Sequence, residues 1–405
     1  MRFRWLWPWA ALFLVATPAW SQERVLTLEE ALALAREGGV SVVLAKGRIE
    51  EARARQIQAG RRFQENPVLE VDAGPRFAER DSLDVAAAVS QGLYSGRRRS
   101  ARAAGAQAAL ERAEADLAEA RRLLLRDVWT AFVRALGERD RISLLARNRK
   151  AADELLAMTE RRYEAGEATA LELNRARTVA AGARAGQSAA EAEGNEALAE
   201  VKALLGLPPG ENVQIQGSLT PRPPRELETL LAGLENRPDL RALASELREA
   251  EAEILLGEAL GRPEWGLRGS FSREEDVDIV TAGVAVSLPV YNRGQETLAV
   301  GQARAAALRQ ALTAARAAAE AEVRGAYSAL SRRMDAVREL ERTALPALDD
   351  NESLALKSFE AGEIDLGELL LIRREILETR LAYLDRLLDA SLTGFELETA
   401  AGALP

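Results

Sequence analysis

Two stretches of this chain carry the same acidic chemistry. YEAGEATALELN, from Tyr163 to Asn174, and FEAGEIDLGELL, from Phe359 to Leu370, each place Glu-Ala-Gly-Glu ahead of a further Glu and Leu at matched spacing. The carboxylates that follow, Glu172 in the first and Asp365 and Glu368 in the second, can attract cations, repel anions and one another, or complement the positive end of a helix. They could also act as an acid and base pair in an exported enzyme. The chain has no His and no Cys, which removes the commonest general base, the commonest transition-metal ligands and any disulfide. No phosphate-binding loop, nucleophile elbow or metal-ligand cluster is legible, so catalysis has only the abundance of Glu in its favour and no cofactor is expected.

The carboxylates must be positioned by helices. Of 405 residues 47% are apolar and only 5% aromatic, with Ala, Leu, Arg and Glu dominant, a mixture that favours long helices. From about Gly96 to Arg162 there is no Pro, and Leu110, Leu117, Leu124 and Ala131 recur every seven residues beside Ala106, Ala113 and Ala120. A helix of that length is roughly 100 Å long. The return helix carries Ala176, Ala183, Ala190, Ala197 and Leu204, and a later helix carries Leu370, Leu377 and Leu384 with Leu381, Leu388 and Phe395. Gly166 and Gly362 then mark the places where one long helix turns back into the next, because glycine accepts the left-handed conformation that ends a helix. Rods this long cannot bury themselves in a small globule, so copies are expected to pack side by side.

The pattern is duplicated. Asn66-Pro67 meets Arg262-Pro263, SQGLYSG at Ser90 meets SLPVYNRG at Ser287, and Phe132 meets Tyr327. The expected organisation is a first repeat over 22–205, a connector over 206–224 that could hold one short strand, and a second repeat over 225–402. Each repeat reads helix, β-hairpin, very long helix, break, long helix. The first helix starts at the capping box Thr27-Leu-Glu-Glu30 and is expected to run to about Arg62. The hairpins fall at about 67–94 and 263–290. In the first, Leu69, Val71 and Ala73, then Val85, Ala87, Val89 and Leu93, alternate with polar or small residues; in the second, Trp265, Leu267 and Phe271, then Val280, Ala282, Val284, Val286 and Leu288 do the same. Strands of about ten residues with one apolar face suit a bilayer or a soluble core equally. If they face lipid, several copies must combine, since open strand edges leave N–H and C=O groups unsatisfied there.

Residues 1–21 read as a secretory leader: Arg2 and Arg4, an apolar run from Trp5 to Ala16, and small residues ahead of a cut after Ser21. An N-terminal membrane anchor is the alternative, although the run is shorter than the roughly 20 residues of a spanning helix. The formal charge of -9, which loss of the leader would make more negative, speaks against a nucleic-acid partner.

Taken together, LTLEEALALA, the duplicated hairpin and long-helix units, the breaks at Tyr163–Gly166 and Phe359–Gly362, and SLPVYNRGQ resemble the TolC-type outer-membrane efflux factors over nearly all of the chain past the leader. SLPVYNRGQ and SQGLYSGRRRSAR are closest to the outer-membrane components of heavy-metal (cobalt-zinc-cadmium or copper-silver) efflux systems. The resemblance implies a mainly α protein with a small membrane β part: a homotrimer pooling four strands per copy into a 12-stranded barrel, continued by a periplasmic α-barrel. It further implies a passive exit duct in the outer membrane that conducts metal ions or small molecules, fed by a periplasmic adaptor and an inner-membrane proton-driven pump. Tyr163, Gly166, Phe359 and Gly362 would form the adaptor-docking tips, and Glu368 with Asp365 and Glu172 the periplasmic aperture, although the family often has Asp where Glu368 stands. The competing class is a periplasmic adaptor or coiled-coil scaffold without a barrel.

Overall fold

The computed structural model describes residues 24–403 apart from 62, 64, 78–81 and 275–276. The expected leader lies outside the described residues. A short strand β1 (Arg24–Thr27) pairs in parallel with β4 (Val213–Gln216), so the connector does hold a strand, and it meets the start of the chain. Thr27 then caps helix α1 (Leu28–Glu37): its Oγ1 accepts from the Glu30 amide at 3.3 Å while its own amide donates to Glu30 Oε2 at 2.9 Å.

The single first helix expected from the sequence is in fact two, α1 and α2 (Val40–Gly60), separated by Gly38-Gly39. Two adjacent glycines supply no helix propensity. Gly39 adopts a φ of +100°, and a Cβ there would lie 2.6 Å from Leu124 Cδ2, so the break lets the chain pass tightly over the long helix beneath it.

That helix, α3 (Gly96–Glu164), runs uninterrupted for 69 residues and returns as α4 (Ala170–Leu205). Along it the expected seam is used where it meets neighbours. Leu124 and Ala131 are buried, and Leu110 and Leu117 pack on Ile49, Ala52 and Ala113. Ala176, Ala183 and Ala190 are likewise buried on α4, so small side chains bring these helix axes close.

A short α5 (Leu227–Ala232) and α6 (Pro238–Leu260) precede the second hairpin, and α7 (Gln295–Glu339), α8 (Leu345–Glu360) and α9 (Leu366–Ala400) follow it. Here the expected very long helix is interrupted. Residues Leu340–Ala344 widen into a π turn just ahead of Pro346, which has no N–H to continue the regular ladder.

The largest apolar core lies where β1, β4, α1 and α4 meet α3, around Leu26, Val42, Val128, Phe132 and Val201, all fully buried. Nearby, Trp129 stacks on Phe395 with ring centroids 4.3 Å apart. Two buried arginines, Arg122 and Arg237, donate to the carbonyl oxygens of Thr399 and Ala400 at 2.9 and 2.7 Å, closing the C-terminal end of α9. Each is paired, Arg122 with Glu119 and Arg237 with Asp239 and Glu322, which offsets the cost of burying the charge.

Strands β2 (Val68–Arg76), β3 (Ser82–Leu93), β5 (Glu264–Glu274) and β6 (Val277–Ser287) form one antiparallel sheet in that order, the two hairpins joined through β3 and β5. Register decides its faces, since directly opposed residues point the same way. Leu69 opposes Val89, Ala87 opposes Phe271, and Leu267 opposes Val284, so the apolar sets of both hairpins fall on one continuous face. The opposite face carries Glu70, Asp72, Ser90, Arg268 and Ser270, with Arg268 bonded to Glu70 at 3.3 Å and Ser270 to Thr281 at 2.6 Å. Nothing among the described residues covers the apolar face: Val280 is 79% and Leu69 66% exposed. Among the described residues, strands β2 and β6 have no partner at its outer edges.

Substituting Gly39→Ala, which adds both strain and the Leu124 contact, should cost about 1–3 kcal/mol. Gly38→Ala, at ordinary negative φ, should stay within about 0.5 kcal/mol. Thermal unfolding of the two variants in detergent checks the difference.

Candidate functional site

At the end of the molecule far from the sheet, two helix-to-helix turns close in the same way. In the first, Ala165 N–H donates to Arg161, Gly166 N–H to Tyr163 and Glu167 N–H to Arg162; in the second, Ala361 donates to Lys357, Gly362 to Phe359 and Glu363 to Ser358. The two sets of bonds lie 196 positions apart. They satisfy helix-end carbonyls through a left-handed residue, and Gly166 and Gly362 have φ of +78° and +76°. Neither would meet any atom within 4 Å if it carried a Cβ, so both turns present bare backbone.

The helices after the turns start on capping residues. Thr169 Oγ1 accepts from the Glu172 amide at 3.2 Å, and the Glu172 carboxylate accepts from the Thr169 amide at 2.6 Å and its hydroxyl at 2.8 Å. In the second turn Asp365 occupies the capping place and accepts from the Glu368 amide at 2.9 Å. Thus Glu172 and Asp365 are both engaged with helix-start backbone, the role that the helix dipole favours for carboxylates. The backbone bond from Thr169, then its hydroxyl, hold the Glu172 carboxyl below its ordinary value, aided by Arg162 and opposed by burial and by Asp365. Arg175, on the helix that follows the first turn, and the Asp365 carboxylate of the second both lie against Gly367, so the two turns share one electrostatic neighbourhood.

The expected tip aromatics are placed differently from one another. Tyr163 is 44% exposed. Phe359 is 5% exposed, in a small core with Leu155, Ala355, Leu366 and Leu369 that ties α8 and α9 to α3, and the Arg162 guanidinium lies 5.5 Å over its ring.

Sequence reasoning missed the basic groups near these acids. Asp365 and Glu368 border a groove of about 880 Å³ that also takes in Arg175, Arg373 and Arg374. Gly367 leaves room for Arg175, whose Nη1 would be 2.9 Å from a Cβ there, beside the Asp365 carboxylate. Arg373 donates to the Ala151 carbonyl of α3 at 3.1 Å, and burial pulls its guanidinium below the ordinary value against the opposing pull of Glu352 and Glu154. The Thr-Ala-Leu-Glu run at Thr169 repeats the capping signature of Thr27 and could have been read from the sequence. The Arg373 contact joins residues 222 positions apart and had no local signal.

An uncovered four-strand sheet carried on helices of this length defines a class: the outer-membrane efflux channels. The chain belongs to the outer membrane efflux protein family, whose profile matches residues 57–207 and 232–403, and it resides in the outer membrane. It is similar to the cobalt-zinc-cadmium resistance protein CzcC of Cupriavidus metallidurans, with 28% identity over 294 residues, 71% of this chain and 70% of that protein. Its fold is that of the outer-membrane channel OprN, with a TM-score of 0.79 and 21% identity over 93% of this chain and 90% of that one. VceC, an outer membrane protein of Vibrio cholerae, superposes with a TM-score of 0.78 and 18% identity, covering 93% and 96%.

The depressed Glu172 value carries a sign. A carboxyl held low in the fold contributes stability that is present above its unfolded value and lost as pH falls through the folded one. Thr169→Ala should therefore loosen the first turn by about 1 kcal/mol at neutral pH. The difference from wild type should shrink on acidification. Amide hydrogen exchange over residues 165–175, followed against pH, measures both.

Proposed function

We propose that this chain is one third of the exit duct of a tripartite efflux system, a homotrimer whose copies pool four strands each into a 12-stranded barrel. One observation carries the reading: a single apolar sheet face with two unpaired edges, joined to helices about 100 Å long. In hydrocarbon those edges need partners, and further copies of the same sheet supply them. The helices then continue the wall as a periplasmic tube, and the matched bond patterns of the two turns support reading the halves as structural repeats.

At the far end, bare backbone at Gly166 and Gly362, with Tyr163 exposed beside the first, lets a helical hairpin of a periplasmic adaptor approach closely. Phe359 serves this docking from inside, by fixing the second turn to its core. Glu368, Asp365 and Glu172 set the charge of the aperture, and Arg175 and Arg373 beside them temper it. Conduction is passive, with no catalysis and no cofactor, and an inner-membrane proton-driven pump selects the cargo. Metal cations are the favoured cargo, because the relative CzcC is named for cobalt, zinc and cadmium resistance and an acidic aperture admits cations. An adaptor or scaffold without a barrel would have no use for strands of bilayer length with an uncovered apolar face.

Replacing Gly166 and Gly362 together with Leu should abolish export while trimers remain in the outer membrane, and normal export by that variant would refute docking at the turns. Asp365→Ala with Glu368→Ala should reduce cation preference in planar bilayers. A reversal potential equal to that of wild type would remove both residues from the aperture.

A further inference from the structure

The chain crosses between helices and sheet four times, at α2 to β2, β3 to α3, α6 to β5 and β6 to α7, and each crossing carries an exposed arginine. These are Arg61 at the first, Arg97 and Arg99 at the second, Arg262 at the third and Arg293 at the fourth. No ion pair holds them among the described residues. Two of the nearby acids are committed elsewhere: Glu264 pairs with Arg98, which lies 4.2 Å over the Tyr94 ring, and Glu65 lies against the Tyr94 hydroxyl.

This concentration of positive charge is unexpected in a chain of net charge -9. It does not serve the helix it adjoins. Arg97 and Arg99 stand in the opening turns of α3, where the backbone dipole favours acids, and that first turn has none. The collar sits immediately beside the helix end of the apolar sheet face. Trp265, 57% exposed, opposes Leu93 on that face, and Tyr291, 93% exposed, lies in the fourth crossing. Amphipathic aromatics next to arginines at the end of an apolar band match the chemistry of a phospholipid surface, apolar chains on one side and phosphates on the other.

We infer that the arginines of the four crossings form a collar that binds the phosphate headgroups of anionic phospholipid in the membrane leaflet nearest the helices. The inference rests on the proposed placement of the sheet in the membrane. Its occupant is a lipid because the collar is continuous with the apolar face, which a soluble anion or an acidic protein would leave uncovered.

Trp265 reports on the collar. The full protein is reconstituted in phosphatidylcholine bilayers containing an equal small fraction of either phosphatidylglycerol or phosphatidylcholine brominated near the headgroup. Quenching of Trp fluorescence is then compared at low salt, with Trp265→Phe defining the share that belongs to this residue. Phosphatidylglycerol should quench the more strongly, its local enrichment on the order of fivefold for each arginine engaged. High salt, or replacement of Arg61, Arg97, Arg99, Arg262 and Arg293 with Gln, should bring the two lipids to parity. Unchanged quenching by phosphatidylcholine in that variant shows that the sheet is still embedded. Equal quenching by both lipids in the wild type, or a preference that survives the five substitutions, overturns the collar while leaving the exit duct intact. Absence of quenching by either lipid overturns the membrane placement and the collar with it.

Discussion

The backbone amides and carbonyls of a β-strand find partners only on a neighbouring strand, and this constraint governs the sheet on which the rest of the molecule is built. The sheet of β2, β3, β5 and β6 satisfies its interior ladders but ends in two open edges, and its register gathers Leu69, Val89, Phe271, Leu267 and Val284 on one uncovered face. In water such a surface would be an aggregation hazard. In the proposed duct this surface faces lipid, and the open edges are where further copies would extend the wall.

The helices meet the opposite demand. They must be long and still be held, and with few aromatics the chain achieves this through small residues at seam positions and close approach rather than bulk. Larger side chains are concentrated where several elements converge, around Phe132, Val128 and Leu26, and in the Trp129–Phe395 stack. The two halves are not mechanically equal. Helix α3 is continuous over 69 residues, whereas its counterpart widens into a π turn before Pro346. There Tyr383 donates to Glu341 at 2.9 Å, and burial and then this bond push the tyrosine up to about 12.

Charge is used differently at the two ends of the helices. At the turns acids and arginines are interspersed, with helix starts stabilising Glu172 and Asp365, whereas exposed arginines stand at each crossing beside the sheet. Between them, Arg122 and Arg237 direct their charge to carbonyls near the end of α9 and to the acids Glu119, Asp239 and Glu322. The same residue type thus closes a helix in one place and faces outward in another, and burial separates the two uses.

Much of this was legible without coordinates. Alternation in the hairpins fixed which residues share a face, heptad spacing fixed the long helices, and the paired Gly166 and Gly362 fixed where they turn, because each pattern arises from interactions within a few residues. Local signals also misled: the run after Thr27 looked like one helix although Gly38-Gly39 divides it, and the stretch past Gln295 looked continuous although Pro346 interrupts it. What only the tertiary structure decided depends on residues far apart in the chain. The pairing of β3 with β5 that merges two hairpins into one sheet, the parallel match of β1 with β4, the burial of Phe359 and the Arg373 contact with Ala151 each join segments whose separation no local periodicity encodes. Period and capping are written in neighbouring residues, whereas pairing partners are selected by the competition among all surfaces the folded chain brings together.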